Sequence, residues 1–463
     1  MGGSIIGAIV FGFLLTGVAL VHPVGPGLML AAVTPFDAIP FALFGVAGNL
    51  ITYVPILILL GKLNPAYWGQ AFLGTRVQQL LALFVMALLV SHATTIVDKG
   101  IGEIWEWFRK VTLFLLVGVF AFTMRETKYM PLFVKTMVVS MAVLTFLAML
   151  DFYLGIQLLP VKSGSLDRPA LVGEFDPYLA TNWRFSGPGF PVNRFSNYLL
   201  LMIFLGFGWF MYVKGPIQRV VALGCTFLLI LGELFTITRS GILGMAVGML
   251  LMLPMAFRFR LQQMLGVLVI GSVLGAIVWY GVSFTSADEI LLKRFEPGHV
   301  VASSIGRLDR VTAALKIWAE HPFLGVGWDS FKTYSDQYIA KGGLGAHNGY
   351  LNVLAETGLL GFIPLMMLTV VVIRRYLLRI GHLSTELEFW RPYFFCGLAA
   401  QLVTNLFNDY LWERYLWVSF AFAAALEHCY QAARAKQARA RLEERRDAGA
   451  RGPEPFTSRV GVR

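Results

Sequence analysis

The chain has 463 residues, 57% of them hydrophobic and 14% charged, with a formal net charge of +11 and a mean hydropathy of +0.67. No water-soluble globule of this length carries such a balance, so the composition excludes a soluble enzyme and specifies a polytopic membrane protein. Cys225, Cys396 and Cys429 lie in or beside apolar runs without a CxxC spacing, which gives no disulfide framework and no zinc site.

In chain order, the first apolar run, Ile5–Val21, lacks a basic leader and a small-residue cleavage site, so it is expected to be a retained span. Leu28–Leu60 is too long for one span and rich in proline, and holds one tilted helix or two short ones. Further spans are expected at Leu80–Ser91 with its flanks, Val111–Met124, Met130–Gln157, Tyr198–Val213, Val220–Phe235 and Ile242–Phe257. Leu265–Phe284, Tyr350–Ile373, Tyr393–Leu406 and Leu411–Leu426 complete an all-α fold of 12 or 13 transmembrane helices. Residues 1–430 then form one transmembrane domain. Residues 431–463 form a basic tail, read as a short helix followed by disorder.

The tail carries the densest basic set, Arg434, Lys436, Arg439, Arg441, Arg445 and Arg446, which places it in the cytoplasm. Counting back, Arg374–Arg379, Arg258–Arg260, Lys214–Arg219, Arg125–Lys128 and Lys62–Arg76 fall on the same side. Loops 158–195 and 285–346 and the short connection at Arg239 fall on the opposite face. Long loops are exempt from the charge rule, so their arginines need another reason to be there.

Four stretches on that outer face carry chemistry. In Thr236-Ile237-Thr238-Arg239-Ser240-Gly241 an arginine joins two spans almost without a loop. Alone it reads as a snorkelling interface anchor, but a guanidinium held there also suits a lipid diphosphate. Arg307 and Arg310 lie on an amphipathic segment expected to start near Ser303 or Ser304, with Leu308, Val311, Ala314, Leu315 and Trp318 at helical spacing. Its bland reading is a solvated helix paired through Asp309. Its functional one puts Arg307 in the first turns, where a helix also favours an anion. Pro322 and the pair Gly325/Gly327 end the segment and turn the chain back to the membrane.

The third stretch runs from His347 through Asn348, Asn352 and Glu356, a polar stripe at i, i+4 and i+8 entering a span. A histidine there is often only an interface residue, but such a stripe faces a wet cavity better than lipid. The fourth, around Arg184, ends in Pro191-Val192-Asn193-Arg194. Guanidinium groups bind phosphate in a planar fork, and neutral imidazole accepts protons near neutral pH, which together fit group transfer from a diphosphate to a hydroxyl. No D-x-D, H-E-x-x-H or Walker pattern stands in these loops, so no metal and no nucleotide is indicated. His22, His92, His299, His321, His382 and His428 are read as interface, loop or surface residues.

The Arg239 stretch, the block from Ser304 through Arg307 and Trp318 to His321-Pro322-Phe323-Leu324-Gly325-Val326-Gly327, and the run from Ala346 to Gly361 together resemble the bacterial O-antigen ligase and Wzy-type polymerase superfamily. The motifs cover about Arg184 to Gly361, and the late large loop extends the likeness over most of the chain. The resemblance implies a C-type, metal-independent, inverting glycosyltransferase of the bacterial inner membrane, with its active site facing the periplasm and no cofactor. Its donor would be a glycan on undecaprenyl diphosphate and its acceptor the lipid A–core oligosaccharide for a ligase, or another glycan for a polymerase. Membrane lipid, and no nucleic acid, is the remaining partner.

By motif His347, Arg239 and Arg307 match the family's essential residues, with His347 as proton acceptor and the arginines on the diphosphate. Arg184, Arg310, Asn348 and Asn352 are the expected substrate-binding residues, and Asn348 or Glu356 is a candidate to fix the imidazole. A protein oligosaccharyltransferase is disfavoured by the lack of a sizeable periplasmic domain after the last span. A transporter is disfavoured by the absence of an inverted repeat and the scarcity of charge inside spans.

Overall fold

The structure is a computed structural model that describes residues 16–17, 19–36, 50–63, 68–99, 104–156, 158, 185–256, 297–339, 345–377, 385–411 and 413–450. Most of Ile5–Val21, the span Leu265–Phe284, Arg184 and the end of the tail lie outside the described residues. Among those described there is no strand. The helices are α1 Gly25–Val33, α2 Leu50–Lys62, α3 Trp68–Leu73, α4 Arg76–Lys99, α5 Ile104–Arg125, α6 Met130–Leu154 and α7 Val192–Tyr212. There follow α8 Pro216–Phe235, α9 Arg239–Ala256, α10 Pro297–Glu320, α11 Phe331–Ser335, α12 Gly349–Leu377, α13 Thr385–Thr404 and α14 Arg414–Ala450.

Five stretches among the described residues are long and apolar enough to cross a membrane: Arg76–Ala93, Thr127–Leu154, Val192–Tyr212, Pro216–Phe235 and Gly349–Leu377. Shorter apolar helices occur at Gly25–Phe36, Tyr53–Lys62, Phe114–Arg125 and Arg239–Leu253. The protein is therefore all-helical and polytopic in its described part. Among the described residues of the proline-rich stretch there are two short helices, α1 and α2, the second with Pro55 inside it. α14 does not stop at the membrane boundary but runs on to Ala450. Between Leu426 and Ala450 there is neither glycine nor proline before Gly449, and the Ala, Arg, Glu and Gln that fill the stretch are strong helix formers.

The core that positions the Arg239 end of the bundle is made of α7, α8, α9 and α13. Small residues let backbones approach without a hydrophobic drive, which lipid does not supply. A β-carbon on Gly244 of α9 would meet the Ala400 carbonyl of α13 at 2.7 Å, and one on Gly248 would meet the Cys396 carbonyl at 3.0 Å. This i, i+4 pair seats α9 flat on α13 and holds its first residue, Arg239, in place. At the other end of the bundle Glu427 of α14 binds the Arg375 guanidinium of α12 at 2.8 Å and accepts the Val77 amide in the first turn of α4 at 3.3 Å. One buried carboxylate thereby ties three helices together.

Candidate active site

The corner between α8 and α9 is made by three residues, Thr236, Ile237 and Thr238. The Thr236 hydroxyl donates to the Glu233 carbonyl at 2.8 Å, the Thr238 amide donates to the Thr236 hydroxyl at 3.2 Å, and Ile242 N donates to the Thr238 carbonyl at 2.9 Å. Between them Ile237 takes φ 52°, a left-handed conformation that a β-branched side chain rarely adopts. Such strain persists only where surrounding contacts over-determine it, and it concentrates at functional sites. It turns the chain within two residues and leaves Arg239 half-buried as the first residue of α9.

His347 is the second strained position, at φ 51° and half-buried. Directly after it, the Asn348 side-chain oxygen accepts the Tyr350 and Leu351 amides at 3.1 and 3.0 Å and so caps the N-terminus of α12. The Gly349 amide donates to the carbonyls of both Asn405 and Asn408 at 2.9 Å, in the turn between α13 and α14. Asn408 also donates from its side chain to Ser240 Oγ at 2.8 Å and accepts from Asn193 Nδ2 at 3.2 Å. A single asparagine thus ties the start of α9, beside Arg239, to the start of α12, beside His347.

The same turn presses the Asp409 carboxylate against Gly345, where a β-carbon would collide with it. Beyond the turn, Glu413 pairs with Arg194 of α7 at 2.7 Å, which accounts for that arginine's charge.

Arg307 sits on its helix differently from expectation. α10 starts at Pro297, with proline in its first turn, so Arg307 stands in the third turn and the helix-terminus argument does not apply to it. The buried face is Ala313, Ala314 and Ile317, whereas Leu308 and Leu315 point outward. Arg307 and Arg310, seven and four residues before Ala314, lie on that buried side and are half-buried. The cluster beneath them includes Val326, Phe331, Ala355 and Ala346, the neighbour of His347. Glu320, the last residue of α10, accepts a hydrogen bond from Tyr338, which pushes that phenol above its usual range.

α12 itself is broken. Gly358 has φ 58° and ψ −158°, outside any helix. Pro322 to Gly327 fill the break: the Leu359 and Leu360 amides donate to the Pro322 and Phe323 carbonyls at 2.8 and 3.0 Å, and the Val326 and Gly327 amides donate to Ala355 and Glu356 at 3.2 and 2.9 Å. Ser91 of α4 donates to the Leu324 and Glu356 carbonyls, both at 2.8 Å. Gly325 and Gly358 lie where a side chain would strike the opposing backbone. Replacing Gly358 by alanine is expected to destabilise the fold by about 1–3 kcal/mol from the backbone conformation alone. A lowered unfolding temperature of the purified protein is the measure, and an unchanged one would mean that the break relaxes freely.

Asn352 and Glu356 are almost fully buried, and the Glu356 carboxylate accepts the Phe331 amide at 3.2 Å. His92, read from sequence as a peripheral histidine, is fully buried on α4 next to Ser91. Sequence reasoning named Asn193 without a role and missed Asn405, Asn408 and Asp409. Their signal was a knot of polar residues, Asn405 to Arg414, between two apolar spans. Among the described residues no group of three His, Cys, Asp or Glu is placed to hold a metal ion.

Residues 224–366 match the family model described as O-antigen ligase. The match bears out the resemblance read from the motifs, and it contains Arg239, Arg307, Arg310, His347, Asn348 and Asn352. It ends before the 405–411 turn that joins the two strained corners. A search of the curated proteins returns no match.

Proposed function

We propose that this chain, with its O-antigen ligase family region, is a metal-independent inverting glycosyltransferase that moves an O-antigen glycan from undecaprenyl diphosphate to the lipid A–core oligosaccharide at the periplasmic face of the bacterial inner membrane. The observation that carries the reading is the convergence of the Arg239 and His347 corners on Asn408, with Ala313, Ala314 and Ile317 of α10, the helix that bears Arg307 and Arg310, in one cluster with Ala346. His347 takes the proton of an acceptor sugar hydroxyl as its oxygen attacks the anomeric carbon. The bond from that carbon to the diphosphate breaks, and its electron pair leaves on the diphosphate. Arg239 and Arg307 stabilise the charge that gathers there, with Arg310 alongside. Asn348 acts by fixing the start of α12, and so the backbone of His347, through its cap.

A deletion strain separates this activity from polymerisation with the same donor. A missing ligase strands long glycans on undecaprenyl diphosphate and leaves lipopolysaccharide with a bare core, which is the expected gel pattern. A core carrying one repeat unit would identify a polymerase instead, and unchanged lipopolysaccharide with a lost capsule or exopolysaccharide would identify a polymerase of that other pathway.

The orientation is tested with single cysteines in a chain lacking Cys225, Cys396 and Cys429. Thr312→Cys, exposed on α10, is expected to react with an impermeant maleimide once the outer membrane is permeabilised, and Ala438→Cys on α14 is expected to stay unlabelled. The reverse pattern would place the site in the cytoplasm.

A further inference from the structure

At the end of the bundle away from the site lies a cavity of about 550 Å³ between α2, α3, α5 and α14. His428 stands fourteen residues beyond Arg414 on α14, about 21 Å along the helix from the turn that organises the site. The cavity has an apolar wall, Leu63 and Phe122, and one half-buried cation, Arg125. The Arg125 guanidinium stacks on Phe122 at 4.2 Å and contacts His428 Nε2 at 3.3 Å. None of the ion pairs among the described residues involves it.

Arginine has no acceptor, so Nε2 of His428 must supply the lone pair, and the ring proton sits on Nδ1 as a further donor. A half-buried guanidinium that makes no direct ion pair, with the neighbouring Glu126 carboxylate acting on it only through space, can take an anion. The rim adds the opposite sign, since Glu126 is exposed and borders the same cavity. Leu63, Phe122 and Arg125 are half-buried and Glu126 is exposed, so an apolar surface and a cation lie inward of a carboxylate. That is the complement of a phospholipid read from chain to water when its headgroup ends in an amine: acyl chain, phosphate, ammonium.

We propose that this cavity binds an aminophospholipid of the leaflet on that side, with the phosphate on Arg125 and His428 and the headgroup ammonium on Glu126. The volume lies in the range of small-molecule sites. A phosphatidylethanolamine is the simplest lipid of this chemistry.

The test uses the purified full-length protein in detergent, with binding of phosphatidylethanolamine, phosphatidylcholine and phosphatidylglycerol of identical chains measured by native mass spectrometry. Phosphatidylethanolamine is expected to bind tightest. Arg125→Gln should weaken it on the order of 10- to 100-fold, the loss of a hydrogen bond to a charged group. Glu126→Gln, at an exposed position that does not endanger folding, should remove only the preference for ethanolamine over choline. Unchanged binding in Arg125→Gln, or a preference for phosphatidylglycerol indifferent to Glu126→Gln, would overturn the proposal. Equal competition by soluble glycerophosphoethanolamine or inorganic phosphate would reduce the cavity to a phosphate site without a lipid role.

Discussion

His347→Asn is expected to lower transfer by about 10²–10⁴-fold while the lipid-linked donor still binds. Asparagine is the informative replacement because His347 sits at φ 51°, a conformation that asparagine tolerates and alanine does not. His347→Ala would add backbone strain at the start of α12 to the loss of the imidazole, and its defect would mix two causes. With asparagine the cap at Asn348 and the Gly349 bonds to the 405–411 turn are expected to survive. The check is a paired measurement of donor retention and of transfer by single turnover. A variant that stops binding donor, and whose residual turnover keeps the parent's pH profile, would make the histidine a diphosphate ligand.

Arg239→Lys and Arg307→Lys are each expected to reduce transfer by roughly 30- to 1000-fold although the charge is kept, because an ammonium cannot present the planar pair of donors that a phosphate accepts. Arg239 is the more demanding of the two positions. It opens α9 immediately after a strained corner, and its place is fixed by the Gly244 and Gly248 contacts behind it. Near-normal rates in both lysine variants, measured as release of undecaprenyl diphosphate, would leave these arginines as interface anchors.

Much of this was legible in the sequence, for a physical reason. Apolar runs of bilayer length locate helices, and charged or polar residues that break the pattern at their ends mark candidate site residues, so Arg239, Arg307 and His347 stood out. What was hidden depended on backbone pairing between distant segments. The Pro322–Gly327 stretch looked like a turn returning to the membrane, and the only trace of its partner was Gly358 inside an apolar span. Leucine spacing on α10 suggested a buried face through Leu308 and Leu315, but the side that packs is the alanine side, because Ala313 and Ala314 permit the closer approach. The 405–411 turn read as a gap between spans, since asparagines that bridge three helices carry no periodicity of their own.

The break in α12 also constrains how the protein is built. An uninterrupted helix satisfies its own backbone and enters the bilayer as a finished unit, but this one leaves the amides of Leu359 and Leu360 and the carbonyls of Ala355 and Glu356 to a segment made earlier. Each such group left open in hydrocarbon costs on the order of a few kcal/mol. Pro322 to Gly327 precede α12 in the chain, so the segment that completes the span is synthesised before the span itself. α12 and the loop segment before it are therefore one folding unit: neither satisfies its backbone without the other, and a chain in which they are kept apart holds an incomplete span.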